Sequence, residues 1–284
     1  MINVEHLSHS YTNDDTLAVN DISFHVSKGE TFGFLGPSGA GKSTTQGILT
    51  GLLDLQQGQV TVAGYDLKKK DPKRFNSIGV SFEQSNVYGK LTALENLQYY
   101  ASLFDGETRD PMELLKLVGL DGHEKERAST FSKGMKHRLT FARSMLNKPE
   151  LWFLDEPTTG LDPAIASKIK DIIRQEKERG TTIFLTTHNM VIAEELCDRV
   201  AFIVDGQIKL IDTPKNLKLQ FGHKIAEVEY REGDQTLSKS FNLTDESTKK
   251  ELADLITTHE ILTMHTKEAS LEEIFIQVTG KGLL

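Results

Sequence analysis

The chain of 284 residues has a single cysteine, Cys197, and a single tryptophan, Trp152. One thiol cannot close an internal disulfide, and no Cys/His cluster with metal-ligand spacing accompanies it. Disulfide-stapled and zinc-stapled scaffolds are therefore excluded, and a reducing, cytosolic compartment is expected. Long apolar runs are missing too: no stretch approaches the roughly 18 consecutive apolar residues that a membrane-crossing helix needs. Met1 to Ser10 has neither the basic nor the apolar region of a secretory signal, so the chain is expected to be neither secreted nor membrane-spanning. A basic excess is also absent, since 33 Lys plus Arg stand against 41 Asp plus Glu for a formal net charge of -8. That balance argues against bulk nucleic-acid binding. Internal repeats and low-complexity runs do not occur, and Lys68-Lys69-Lys70 is short enough to be a solvated loop. What remains is ordinary globular composition, 38% hydrophobic and 26% charged. At roughly 150 residues per domain the length suits one large or two smaller domains, each able to bury its own core.

The apolar pattern sets strands and helices in alternation. A strand-rich start leads to a short apolar strand at Thr31 to Leu35. Gly36-Pro37-Ser38-Gly39-Ala40-Gly41-Lys42-Ser43-Thr44 follows, then an apolar helical segment through Leu49, Leu52 and Leu53. Another strand is expected at Ile78 to Phe82, and from about Leu91 to Leu120 the spacing is helical, with Pro111 at a first helical position. A helix from Lys133 carries Met135, Leu139, Ala142 and Leu146 on one stripe and is expected to end near Pro149. Leu151 to Leu154 and Thr182 to Thr186 are apolar runs of the kind that forms strands buried on both faces. Between them Asp162-Pro163 opens a helix that stops at Gly180, and Val200 to Ile211 reads as a hairpin around Gly206. Buried strands separated by helices predict an α/β domain with a mainly parallel sheet. After about Phe221 the pattern changes. Ala226, Val228 and Tyr230 alternate with charged residues, Gly233-Asp234 forms a hairpin turn, a helix surrounds Leu252 and Leu255, and Ser270 with Glu273 makes a capping box. A small α+β module is expected there, in which His223 and His265 are isolated surface or core residues.

Gly36 to Thr44 fits G-x-x-x-x-G-K-[ST], with Gly36, Gly41, Lys42 and Ser43 at the defining positions. Glycines let backbone N–H groups curl round a phosphate chain and the following helix offers its positive N-terminus. Lys42 reaches the terminal phosphates, while the Ser43 hydroxyl binds Mg²⁺. The run Leu151-Trp152-Phe153-Leu154-Asp155-Glu156 is a buried strand ending in two carboxylates. Asp155 is suited to hold the magnesium, and Glu156 to polarise the attacking water as general base.

Together these motifs resemble the ATP-binding subunit of an ATP-binding cassette (ABC) transporter, over about Met1 to Leu219. The resemblance implies a P-loop cassette: a RecA-like, mainly parallel core, an antiparallel β subdomain and a helical subdomain at about 85–148. The cassette would span 1–220 and the accessory module 221–284. Further elements follow in the family's order. Gln84, just after the Ile78 to Phe82 strand, is similar to the glutamine that touches metal and nucleotide. Phe131-Ser132-Lys133-Gly134-Met135 stands where the signature stands, Asp162 closes a D-loop-like Thr159-Gly160-Leu161-Asp162, and His188 follows its strand as the switch histidine does. Tyr11 lies where an aromatic ring stacks on adenine.

The signature departs from Leu-Ser-Gly-Gly-Gln: Phe131, Lys133 and Met135 replace three of its members. Ser132 and Gly134 remain, and the resemblance gives them the γ-phosphate held by the other protomer. Ser132 is also an N-cap for the helix that follows it. The cations Lys133, Lys136, His137, Arg138 and Arg143 are expected on the solvated face of that helix rather than against nucleic acid. By resemblance the chain is an ATPase using ATP and Mg²⁺, working as a homodimer or heterodimer of ATPase subunits. It would lie on the cytoplasmic face of the membrane, bound to a membrane-spanning permease. The Phe131 to Leu139 and Thr158 to Pro163 stretches look like the drug or small-molecule export branch. A solute importer, or a soluble ABC ATPase acting on ribosomes or DNA, is the alternative.

Overall fold

The computed structural model describes residues 1–12, 16–222, 224–267 and 269–282, which excludes His223. The elements run β1 (Ile2–His9), β2 (Val19–Val26), β3 (Thr31–Leu35), α1 (Lys42–Thr50), β4 (Gln57–Val62), β5 (Tyr65–Asp66) and β6 (Ile78–Ser81). Then come α2 (Ala93–Ala101), α3 (Pro111–Leu117), α4 (Lys133–Arg143), β7 (Leu151–Asp155), α5 (Pro163–Glu178), β8 (Thr182–Thr187), α6 (Met190–Leu196), β9 (Arg199–Val204) and β10 (Gln207–Asp212). The remainder is α7 (Pro214–Phe221), β11 (Ile225–Glu232), β12 (Gln235–Asn242), α8 (Glu246–Thr258), β13 (Glu260–Lys267) and α9 (Leu271–Thr279).

Two compact units divide between Asp212 and Thr213. The first holds a six-stranded sheet of order β10-β9-β3-β8-β7-β6, parallel from β9 to β6 with β10 added antiparallel, and an antiparallel sheet of order β2-β1-β4-β5. Strands β3, β7 and β8 are buried along almost their whole length, which is why they read as unbroken apolar runs. The two sheets share one core. Phe24 of the antiparallel sheet stacks on Phe32 at 5.6 Å, and Phe184 meets Phe32, Phe34 and Phe153 within 6.0 Å. This rigid base presents the C-terminal ends of β3, β7 and β8 side by side, where open α/β sheets bind their ligands.

Helix boundaries follow local chemistry. Thr92 and Glu95 form a capping box for α2, and Asp110 caps α3 ahead of Pro111. Helix α4 ends at Arg143 rather than near Pro149. Beyond it Ser144 turns its hydroxyl back to Phe141 O at 2.7 Å, and Met145 and Leu146 close tight three-residue turns. Both side chains are buried, so the apolar period outlasts the helix that it appeared to mark.

The second unit, Thr213–Gly282, is an antiparallel sheet of order β12-β11-β13 whose Ala226, Val228 and Phe241 pack on Leu252 of α8. The segment Pro214–Phe221, read from sequence as the tail of the first domain, belongs to this unit and packs α7 against α9. His265 is exposed on β13.

Candidate functional site

The phosphate-type loop is shaped by constraints inside the chain. A Cβ on Gly36 would stand 2.2 Å from Ile203 O. Gly41 has φ +105°, and a Cβ there would meet Ala18 O at 2.6 Å. Neither position admits a side chain, so the backbone of the loop is pressed against β9 and the Ala18 segment. Ala40 N donates to Pro37 O and Gly206 N to Ala40 O, which fixes the turn, while Ser38 and Gly39 are exposed at its tip. Lys42 Nζ donates to Gly36 O at 2.6 Å and Pro37 O at 2.9 Å. Its pKa is held below the ordinary lysine value by burial, against the opposing pull of Glu156, Asp155 and Glu83. A partly desolvated ammonium among loop carbonyls has strong reason to gain an anionic partner. Ser43 is exposed in the first turn of α1 and Thr44 is buried, its Oγ1 3.1 Å from Tyr11 Oη. That contact sets the largely exposed Tyr11 ring beside the loop, edge-on to His9.

Asp155 and Glu156 leave β7 in different ways. Thr186 Oγ1 on β8 lies 2.5 Å from Asp155 Oδ1 and 2.8 Å from Gln46 Oε1, tying α1, β7 and β8 together. Burial raises the Asp155 pKa first of all, the Thr186 hydrogen bond opposes it, and the charges of Glu156 and Glu83 add to it. Glu156 has φ +47°, an uncommon conformation for a residue with a Cβ. It turns the carboxylate back over β8, where four donors meet it. His188 N (2.8 Å) and His188 Nδ1 (2.6 Å) bind Oε1; Thr187 Oγ1 (2.8 Å) and Thr159 Oγ1 (3.1 Å) bind Oε2. Glu156, expected as the general base, and His188, expected as the switch histidine, are thus one unit. Thr159, Thr187, Thr186 and Gln46 were not singled out from the sequence, because nothing in a lone threonine distinguishes a carboxylate's donor from a strand former.

The donors also suit a divalent ion. Among the described residues no three carboxylates, histidines or cysteines gather tightly enough to cage a metal. One carboxylate, one hydroxyl and phosphate oxygens are nevertheless the typical holders of Mg²⁺. Around Asp155 the acidic charges of Glu156 and Glu83 face one cation, Lys42. The site is short of positive charge.

The signature segment lies elsewhere. Ser132 Oγ accepts from Met135 N at 3.2 Å and so caps α4. Gly134 and Gln84 line a cavity of about 430 Å³ with Glu83, Ser85, His137, Thr159 and Gly160, and no residue of Gly36–Thr44 lines it. Asp162 Oδ1 caps α5 by accepting from Ile165 N at 3.0 Å. Of the cations of α4, Lys133 is exposed as expected and Lys136 and Arg138 are half-buried, but His137 and Arg143 leave the solvated face. Arg143 is buried, donates to Asn86 O at 2.8 Å and lies over the Tyr100 ring; Arg138 donates to Val118 O and Gly119 O. His137 is buried with neither ring nitrogen hydrogen-bonded. Guanidinium groups can cover apolar surface while satisfying backbone carbonyls, so their charge did not report exposure.

Residues 19–159 match the ABC transporter family. Over all 284 residues the chain is 49% identical to a fluoroquinolones export ATP-binding protein of Mycobacterium tuberculosis, 94% of which is covered. The chain belongs to the ATP-binding proteins of ABC transporters. As an ABC ATPase it binds and hydrolyses ATP. It is also 32% identical to the linearmycin resistance ATP-binding protein of Bacillus subtilis, with 100% of this chain and 99% of that protein covered. Among solved structures, a dimeric ATP-binding cassette in a post-hydrolysis state bound to ADP and Pi superposes with TM-score 0.69 at 25% identity, covering 75% of this chain and 98% of that one. The ATP-binding subunit of another ABC transporter gives TM-score 0.71 at 29% identity, over 78% of this chain and 93% of that one. Among the described residues no helix is long and apolar enough to cross a membrane.

Proposed function

We propose that this chain is the energising ATPase of a drug or small-molecule exporter, acting as a dimer on the cytoplasmic side of a membrane-spanning permease. The observation that carries the reading is the likeness to the fluoroquinolones export protein, because it extends through the second unit as well as the cassette. Gly36 to Thr44 wraps the phosphates and Lys42 exchanges its loop carbonyls for the terminal phosphates. Ser43 and Asp155 hold Mg²⁺, with a further contact from the loop after β6, for which the sequence resemblance offers Gln84. The bound ion supplies positive charge to the phosphate oxygens. Tyr11 stacks on the adenine. Glu156, oriented by His188, Thr187 and Thr159, takes the proton of the attacking water.

Ser132, Gly134 and the D-loop end at Asp162 face the nucleotide of the other subunit, so each γ-phosphate joins two chains. Its loss removes charge-assisted contacts from one side and opens the dimer. Turning such an equilibrium from mostly open to mostly closed takes about 5.5 kcal/mol of differential binding, within reach of two shared phosphates.

Glu156→Gln tests the scheme directly. Steady-state turnover is expected to fall about a thousandfold, the scale of a lost general base, while ATP affinity is kept and an ATP-dependent dimer accumulates on a sizing column. Wild-type turnover in that variant removes Glu156 from the mechanism. Purification from membranes with a multi-span protein tests the permease reading, and purification with ribosomes instead overturns it.

A further inference from the structure

At the end of the sheet opposite to Asp155 and Glu156 lies a cavity of about 610 Å³. One side is made by turns that lead into the strands: Pro149-Glu150 ahead of β7, Gly180-Thr181 ahead of β8, and Lys28 between β2 and β3, where Gly29 N donates to Thr182 Oγ1 at 2.9 Å. Arg109, between α2 and α3, and Lys148, after α4, line it from the helical stretch, and Arg109 N is fixed on Leu146 O at 2.8 Å. The lining carries four cations and two carboxylates, and the pairing is uneven. Arg109 Nη1 and Arg179 Nη1 donate to the same oxygen, Glu176 Oε1, at 2.7 Å and 2.6 Å. One carboxylate thus serves two guanidiniums, and because Arg109 and Glu176 are largely buried, the positive charge left over is costly. Lys148 reaches only Glu107, at 3.5 Å; Lys28 has no partner among the described residues, and the exposed Glu150 pairs with none of these cations. Thr181 is a second, independent sign. It is only 9% exposed and its hydroxyl has no hydrogen-bond partner among the described residues, yet the hydroxyl is not sealed off and so opens on the cavity. A buried hydroxyl without a partner is an exception that asks for one. The carbonyl end of α5 opposes an anion little, since Gly180 N and Thr181 N cap Lys177 O and Glu176 O at 2.8 Å and 3.1 Å.

We propose that this cavity is an anion site, separate from the proposed ATP site, that takes the phosphate group of a small soluble phosphate monoester. The N–H groups of Arg109 and Arg179 that Glu176 leaves unused accept phosphate oxygens side by side, the geometry for which guanidinium is suited. Lys28 adds charge, and the Thr181 hydroxyl gains the hydrogen bond it lacks. The cavity is far larger than a phosphate group, which leaves room for the organic part of the ligand. Bound there, the anion bridges the helical stretch at Arg109 to the sheet at Thr181 and reinforces the one ion pair, Arg109 with Glu176, that already joins them across the cavity.

Calorimetry with the full chain tests this, using inorganic phosphate as the probe and potassium chloride at matched ionic strength as the control. A dissociation constant of about 1 mM is expected, the scale that two charge-assisted hydrogen bonds supply. Arg179→Gln is expected to weaken it about tenfold, and Thr181→Val, which keeps the shape and removes the hydroxyl, about threefold. Arg109→Gln would also strand the buried Glu176 and loosen the fold, so the largely exposed Arg179 carries the decision. Lys42→Ala empties the other phosphate site and is expected to leave this binding within about twofold. Phosphate binding that is absent, that survives Arg179→Gln unchanged, or that disappears in Lys42→Ala overturns the proposal, the last by placing the anion on Gly36–Thr44. Glycerol 3-phosphate is expected to bind at least as tightly as inorganic phosphate, and vesicles containing phosphatidic acid are expected not to sediment the chain. Sedimentation that Arg179→Gln abolishes would assign the site to a lipid headgroup and overturn the soluble ligand.

Discussion

The loop at Gly36–Thr44 and the segment at Ser132–Gly134 both look like places for a phosphate, but the chain treats them differently. The first is crowded by its own fold. Gly36 and Gly41 are pressed on Ile203 O and Ala18 O, and Lys42 is held by two carbonyls of the loop. The second is bare: a Cβ on Gly134 would meet only Leu161 Cδ2, at the comfortable distance of 3.6 Å. Nothing in the chain requires a glycine there. At the first site the fold itself demands the glycines; at the second it does not, which fits the proposed approach of the partner's nucleotide.

Gly36→Ala should break the first side of this comparison most severely. A methyl group 2.2 Å from a backbone oxygen cannot be relieved by a rotamer change. A loss of about 3 kcal/mol of folding stability or more is expected in denaturant titration. Lys42→Ala separates shape from charge: the melting temperature stays close to the parent's, while ATP affinity drops about a hundredfold for the loss of charge-assisted contacts. Unchanged affinity removes Lys42 from the phosphate site.

Gly134→Ala sharpens the other side. Alanine in the first turns of α4 gains about 0.5 kcal/mol in backbone terms, so the nucleotide-free chain should be as stable as before or slightly more. ATP affinity of the isolated chain is unaltered. The ATP-dependent dimer of the Glu156→Gln background is expected to weaken by about tenfold, since a methyl group intrudes on a contact between chains. An undisturbed dimer means that Gly134 does not face the partner's nucleotide.

The same division explains what could be read from sequence. Gly36 to Thr44 and Leu151 to Glu156 are legible because their chemistry is contiguous: strand, turn and helix stand in order, and each reactive group is next to the element that aims it. Strands β3, β7 and β8 were legible for the same reason, each carrying a short apolar run that is buried along almost its whole length. The four donors on Glu156 were not, because Thr159, Thr187 and His188 come from two separate segments and only the fold brings them together. The cations of α4 misled because sequence spacing gives direction but not depth. Leu139, Ala142 and Leu146 mark a buried stripe, yet Arg143 and His137 are buried beside it.

His137 provides the smallest and most local test. It lines the cavity with Gly134 and Glu83, and neither ring nitrogen has a hydrogen-bond partner among the described residues. Burial, and secondarily the charge of Lys133, holds its pKa below the ordinary value of 6.5. The folded chain therefore disfavours the protonated ring, whereas the unfolded chain accepts the proton freely. The stability linked to this group is fully present above pH 6.5 and is lost as the pH falls through that value towards the lower folded one. His137→Leu removes both the unsatisfied nitrogens and the proton that the fold refuses. It should be neutral to stabilising at pH 8 and gain about 1 kcal/mol over the parent near pH 5.5, read as a flatter dependence of melting temperature on pH. A parallel shift at both pH values means that the folded ring takes up the proton as readily as the unfolded one, and a loss at pH 8 means that its nitrogens serve a contact formed only when the cassette changes shape.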